Sequence, residues 1–134
     1  MRPILLALSL LVSFAEPSRA AETLITILTG PASGIFYPLG TTLSSIYTKA
    51  IPGANVTVQA TLASVENLKL LEAGDGELGF TLGSTLAAAW AGNKEAGFDA
   101  PFVKLRAVAR IYPNFVQVTA SNRSGIKTLA DLKG

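Results

Sequence analysis

Thr23-Leu24-Ile25-Thr26-Ile27-Leu28-Thr29-Gly30-Pro31-Ala32-Ser33-Gly34-Ile35-Phe36-Tyr37-Pro38 is the stretch on which the fold turns. Thr23 to Leu28 alternates β-branched and leucine residues and is apolar on both faces, which reads as a central strand. Gly30 to Gly34 is a turn. Pro38 suits the first turn of a helix, where a missing N–H costs nothing. That helix is expected to run to about Ala50, with Leu39, Leu43, Ile46, Tyr47 and Ala50 on one stripe, and Ile51-Pro52-Gly53 ends it.

The same strand–turn–helix rhythm recurs twice downstream. Asn55 to Ala60 alternates as a second strand, followed by Thr61-Leu62-Ala63-Ser64 and a helix carrying Val65, Leu68 and Leu71 that Gly74 closes. Glu77 to Thr81 is the expected third strand, and Thr81-Leu82-Gly83-Ser84 leads into a short helix ending at Gly92. Ser64 and Ser84 are the expected N-caps of these two helices. Asn93 to Lys104 reads as a loop anchored by Phe98 and Phe102. Leu105 to Ile111 and Phe115 to Ala120 read as two more strands, and Thr128 as the cap of a turn over Leu129 to Leu132. Strand–turn–helix units in series predict an α/β fold with a mostly parallel sheet and helices on both faces. Ligands of such sheets bind at the carboxyl ends of the strands, where the three turns must lie. Open N–H groups and positive dipole ends make that edge receptive to an anion.

The N-terminus reads differently. Arg2 and the terminal amine supply positive charge, Ile4 to Phe14 is apolar but for Ser9 and Ser13, and Ser18-Arg19-Ala20 offers small residues at the positions a signal peptidase reads. Residues 1–20 are therefore expected to be a signal peptide. The apolar run is about half the ~20 residues a membrane-spanning helix needs. Nothing after residue 20 is apolar for long enough to span a membrane, so the expected product is exported to the periplasm. At the other end, Ile126 to Gly134 opens a further unit that stops at once, which predicts a truncated product or a fragment.

Composition narrows the function classes. The formal charge of +2 falls by one once Arg2, Arg19 and Glu16 are removed, and no run of Lys or Arg remains. A nucleic-acid surface needs a clustered basic footprint, which is missing. Cysteine and histidine are both absent. That excludes disulfides, cysteine nucleophiles, a Ser-His-Asp triad and ordinary zinc sites within this chain. The balance leans towards binding without chemistry, with no catalytic residue, no metal and no cofactor expected.

Two motifs are decoys. Gly74-Asp75-Gly76-Glu77-Leu78-Gly79 matches the dinucleotide fingerprint, but a helix precedes it and a strand follows, the reverse of what that fingerprint requires. Gly30 to Gly34 places its serine one position too late for a nucleophile elbow. The candidate ligand contacts are Ser33 and Gly34 in the first turn, Phe36 and Tyr37 at the first helix start, Ser64 and Asn67 at the second, and Gly83 and Ser84 at the third. Each also has a purely structural reading: the serines as caps, Asn67 as a solvated residue one turn after Ser64, and both rings as core. Otherwise one ring closes over a ligand while the other packs inward.

With these residues in view, the chain resembles the TAXI family of TRAP-transporter solute receptors. The resemblance is carried by Thr29-Gly30 through Gly34-Ile35-Phe36-Tyr37-Pro38-Leu39-Gly40, Ser64-Val65-Glu66-Asn67-Leu68-Lys69-Leu70-Leu71, Gly79-Phe80-Thr81, Ile111-Tyr112-Pro113, and Ser124 to Gly134. It implies a periplasmic-binding-protein-like, two-lobed receptor that closes on a small organic acid, glutamate-like or a dicarboxylate, and hands it to TRAP membrane subunits. Residues 21–123 would be the first lobe, and 124–134 the start of a crossover into a second lobe that is missing. The chain departs from the family pattern in reading Gly-Pro-Ala-Ser-Gly where members often carry a run of glycines. It also has Leu82-Gly83 where they often carry a polar side chain. Other architectures sharing the pattern are a receptor of an ABC importer and an exported hydrolase whose catalytic residues lie beyond Gly134.

Overall fold

The computed structural model describes residues 22–133, so the expected signal peptide lies outside it. Three parallel strands, β1 (Thr23–Leu28), β2 (Ala54–Gln59) and β3 (Leu78–Gly79), form one sheet in the order β2-β1-β3. Three helices follow them in turn: α1 (Phe36–Ala50), α2 (Ser64–Ala73) and α3 (Gly83–Ala91). Short 3-10 turns cover Lys94–Ala96 and Leu129–Leu132. The α/β class and the central place of β1 are as the alternation of Thr23 to Leu28 requires. Every residue of β1 is paired with β2, from Thr23 opposite Ala54 to Leu28 opposite Gln59. Only Ile27 and Leu28 face β3.

Ile27 and Leu28 are fully buried, and their alternation sends one side chain to each face of the sheet. On the Ile27 face, α1 approaches through Gly40, where a methyl group would collide with Thr29 and touch Val58 and Ile27. One turn on, the Ser44 hydroxyl donates to the Val56 carbonyl at 3.3 Å. Of the expected stripe, Leu39, Leu43 and Tyr47 are therefore only half-buried, and Ile46 and Ala50 remain exposed. The reason is close approach: a glycine and a serine let the helix backbone lie nearer the strands than leucines would. α2, α3 and the following loop make a second core of Leu68, Ala89, Phe98 and Leu105. Phe98 is completely buried and meets Phe102 edge to face at 5.2 Å, the anchoring expected of that pair.

Glycine termini behave as the sequence implies. Gly74 and Gly92 close α2 and α3 in the left-handed conformation, with φ of 92° and 63°. The segment Gly74 to Gly79 joins a helix to a strand, in the orientation that excludes a dinucleotide loop.

Three expectations fail. β3 is two residues long rather than the five of Glu77 to Thr81. Leu105 to Ile111 and Phe115 to Ala120 form no strand. Alternation specifies faces, but a strand also needs a ladder partner. The Glu72 carboxylate accepts from the amides of Val103 (3.2 Å) and Lys104 (3.1 Å), which directs the chain along α2 instead of onto the edge of β3. Beyond buried Leu105 the chain runs exposed, with Val108, Phe115 and Val116 more than 70% accessible. Finally, neither Ser64 nor Ser84 is an N-cap. The caps are Ala63 and Leu82, and both serines lie inside the first helical turn.

Candidate functional site

The three helices all begin at the carboxyl edge of the sheet, and none has a side-chain N-cap. The N-cap positions are Ile35, Ala63 and Leu82, residue types that have no acceptor to offer an orphan N–H. Serine, threonine, asparagine or aspartate is the usual occupant. The omission of all three caps leaves the first-turn N–H groups of α1 and α3 without a side-chain acceptor from their own N-cap residues.

Specific contacts gather these starts. The Phe36 ring, at the first residue of α1, stacks on Phe80, just after β3, with centroids 5.4 Å apart. Gly30 separates the first two junctions: a Cβ there would stand 3.3 Å from the Ala63 Cβ and 3.6 Å from the Phe36 ring. The Leu82 N–H donates to the Ser64 hydroxyl at 3.1 Å, which ties the start of α2 to that of α3. Ser64 thus serves as a strap between helices.

Beneath the edge is a closed polar clasp. Asn67 is fully buried. Its amide nitrogen donates to the carbonyls of Thr29 (2.6 Å) and Phe80 (2.7 Å), and its oxygen accepts from the Thr61 hydroxyl at 2.6 Å. Two carbonyl partners on one side and a hydroxyl on the other admit only this orientation of the amide. The Thr61 oxygen in turn accepts from the Ala63 N–H at 3.0 Å, and the Thr29 hydroxyl donates to the Gln59 carbonyl at 2.7 Å. The carboxyl ends of all three strands are thereby bound to α2 by one network. No buried side-chain polar atom is left without a partner among the described residues.

Ala63, between clasp and helix, has φ of 70° and ψ of −150°, the one non-glycine residue with positive φ among those described. An L-residue reaches that region only against steric strain. The Thr61 and Asn67 bonds on either side hold it there, since the Asn67 N–H also donates to the Ala63 carbonyl at 3.1 Å.

The eight expected contact residues divide accordingly. Phe36, Ser64, Gly83 and Ser84 lie at the joined helix starts, Gly83 and Ser84 exposed and the other two half-buried. Ser33 is exposed in the first turn, Gly34 donates its N–H to the Pro31 carbonyl at 2.8 Å, and Tyr37 is half-buried. Asn67 does not project into open space at all; its donors and acceptor are engaged inside the clasp. Thr29, Thr61, Ala63 and Phe80 build the edge and are not among the contacts expected from the sequence. Thr61 had a signal: a threonine two residues before a helix cap readily bonds the backbone two residues on. Ala63 had none, because nothing about an alanine announces positive φ.

A cavity of about 1390 Å³ opens beside this edge, bounded by β3, the start of α3 and the 104–116 segment. Phe36, Gly83 and Ser84 line it, whereas Ser33, Gly34, Tyr37, Ser64 and Asn67 do not. It exceeds the roughly 300–1,000 Å³ of a ligand pocket and is walled on one side by exposed extended chain. The helix starts, not this flank, have the organised chemistry.

Comparison with known families matches residues 27–134 to the NMT1-like family, from the middle of β1 through all three junctions. The chain belongs to the NMT1-like family. NMT1-like proteins are a periplasmic solute-binding family, so this chain is related to receptors that bind a small molecule. Among the described residues, no helix is long and apolar enough to cross a membrane.

In this NMT1-like chain the edge is electrostatically uneven. Each helix start contributes roughly half a positive charge. The first turns of α1 and α3 hold no acidic residue, whereas α2 has Glu66, whose carboxylate accepts from the Leu62 N–H. The dipole of α2 is thus partly answered from within, whereas those of α1 and α3 have no acidic side chain in their first turn.

Proposed function

We propose that this chain is the first lobe of an extracytoplasmic receptor that captures a small organic acid for a TRAP-type secondary transporter. The observation that carries the reading is the meeting of three uncapped helix starts at one edge of a parallel sheet. Backbone N–H groups aimed at a common space receive a carboxylate without needing a cationic side chain. Membership of a solute-binding family supports capture of a small molecule, and the TAXI resemblance supports the acid and the transporter type. Ser33, Gly34, Phe36, Tyr37, Ser64, Gly83 and Ser84 are the proposed contacts, and Asn67 supports them from below. In this reading residues 1–20 direct export and residues 124–134 lead towards a second lobe that closes over the ligand.

A thermal-shift screen of the full chain against small organic acids tests the proposal. An acid at about 100 times its dissociation constant should add about 2.7 kcal/mol of stability. Tyr37→Ala and Ser64→Ala should then weaken its binding in calorimetry while the circular dichroism spectrum stays unchanged. Unaltered affinity in both variants would refute the site.

A further inference from the structure

The cavity beside β3 lies between two stretches of chain that make no backbone bond across it. One is the outer edge of β3, which ends the sheet order β2-β1-β3 and pairs only with β1. The other is the 104–116 segment. Among the described residues, no backbone group between positions 107 and 120 bonds to another backbone group. Helices cover both faces of this gap: Leu43 and Tyr47 line it from α1, and Leu71 and Leu86 from α2 and α3. α1 lies on the Ile27 face of the sheet, whereas Leu71 lies against Gly79, the register partner of Leu28, on the opposite face. Two open ladder edges between two apolar helical faces are the surroundings of a central strand. The volume of about 1390 Å³ suits six extended residues, about 20 Å long, rather than a small ligand.

Beyond that wall, the described residues hold one unpaired segment of the required kind. In Phe115-Val116-Gln117-Val118-Thr119-Ala120 the apolar side chains point both ways, and Phe115, Val116 and Val118 are 73%, 95% and 61% exposed. No Lys, Arg, Asp or Glu stands between Arg110 and Arg123, so its burial takes no charge out of water and sets none against Lys104 or Arg110 in the slot. The segment is poorly placed to enter the slot of its own chain. A tight hairpin would have to turn at Tyr112-Pro113-Asn114. Pro113 keeps Tyr112 out of the helical region, which removes the type I turn of a three-residue loop. A two-residue primed turn needs positive φ at its first central residue, which Pro113 cannot adopt and a bulky Tyr112 resists.

We propose that a second copy of this chain fills the gap. Residues 115–120 of each copy enter the slot between β3 and the 105–111 segment of the other, in a two-fold exchange that completes both sheets. The two Phe115 rings bring about 300–500 Å² of buried surface and the groups they cover a similar area. Val116 and Val118 from both copies take the total past the roughly 1,000 Å² of a specific interface. The exchange does not rest on the receptor reading and leaves the three helix starts where they are.

Sedimentation velocity on the full chain between about 1 and 100 μM tests this, with a dimer expected to replace the monomer as concentration rises. Val116→Asp, at a position that packs against nothing in the single copy, should weaken the dimer at least about tenfold with an unchanged circular dichroism spectrum. Pro113→Asn with Asn114→Gly supplies the Asn-Gly turn that lets the strand close within its own chain, and should give a monomer. Hydrogen exchange should show the amides of Leu78, Gly79 and residues 105–120 protected in the dimer and open in the dilute monomer. A monomer at every concentration, or a dimer undiminished in either variant, overturns the proposal. Protection of residues 115–120 alone, as in simple edge-to-edge pairing of two such segments, also overturns it, as does their protection in the monomer.

Discussion

Replacing Asn67 with alanine tests the clasp beneath the helix starts. The substitution removes two donors, to Thr29 and Phe80 at 2.6 and 2.7 Å, and one acceptor, from Thr61 at 2.6 Å. Not all of that loss is final. The Thr61 hydroxyl already lies 3.1 Å from the Thr29 carbonyl and can turn to satisfy it. The Phe80 carbonyl has no such neighbour, and an orphaned buried group costs about 1–3 kcal/mol. Loss of the remaining bonds and the space left by the amide bring the expected destabilisation to about 3 kcal/mol. Urea unfolding followed by circular dichroism measures it as a lower midpoint at unchanged slope. Asn67→Asp sharpens the test. At pH 7 it sets a carboxylate oxygen against two carbonyls, so it should be at least as unstable as Asn67→Ala, and acidification towards pH 4 should recover part of the loss. A loss under about 1 kcal/mol in Asn67→Ala, or an Asp variant as stable as wild type at pH 7, would refute donation by Asn67.

Other outcomes follow from the same geometry. Ala63→Gly relieves a backbone strain of about 1–3 kcal/mol at the small entropic cost of a glycine, so the variant should be more stable by about 1 kcal/mol in the same urea assay. A less stable variant would contradict the positive φ at that position. Asp131 lies in the turn over Leu129–Leu132, where its carboxylate accepts from the amides of Lys127 (2.9 Å) and Thr128 (2.8 Å). The Lys127 bond first, and then those of Thr128, hold its pKa below the usual 3.8. A lowered folded-state pKa means that the bonds' contribution is present above about pH 3.8 and is lost as pH falls through the lowered value. Both amide resonances should shift together with a midpoint below 3.8 in an NMR titration; a midpoint above it would count against the turn.

How much of this was legible in the sequence depends on the range of the interaction involved. The strand of Thr23 to Leu28, the Pro38 entry to α1 and the glycines that close α2 and α3 are local, and each was read correctly from residue type and spacing. The edge itself was half legible. Turns ahead of helices marked its place, but the serines there suggested caps, and the structure uses Ser64 to bind Leu82 and leaves both helices uncapped. Asn67 looked like a residue projecting into a cleft because helical periodicity cannot show that the Thr29 and Phe80 carbonyls converge beneath it. The strands expected at Leu105 to Ile111 and Phe115 to Ala120 failed for a similar reason. Their alternation is real, but Glu72, a single carboxylate more than thirty residues earlier, sets the course of the chain at Val103 and Lys104.

The clasp also bears on the order in which the protein assembles. Its bonds join residues 38 positions apart between Asn67 and Thr29, 30 between Thr29 and Gln59, and 13 between Asn67 and Phe80. Such closures have to wait for loop entropy to be overcome, and no partial set of strands completes them. A chain emerging in sequence order can fold α1 against β1 and β2 while the Asn67 amide still lacks its third-strand partner. The edge where the three helix starts meet is therefore finished only when Phe80 arrives, and until then the growing chain has helices whose common edge is still open.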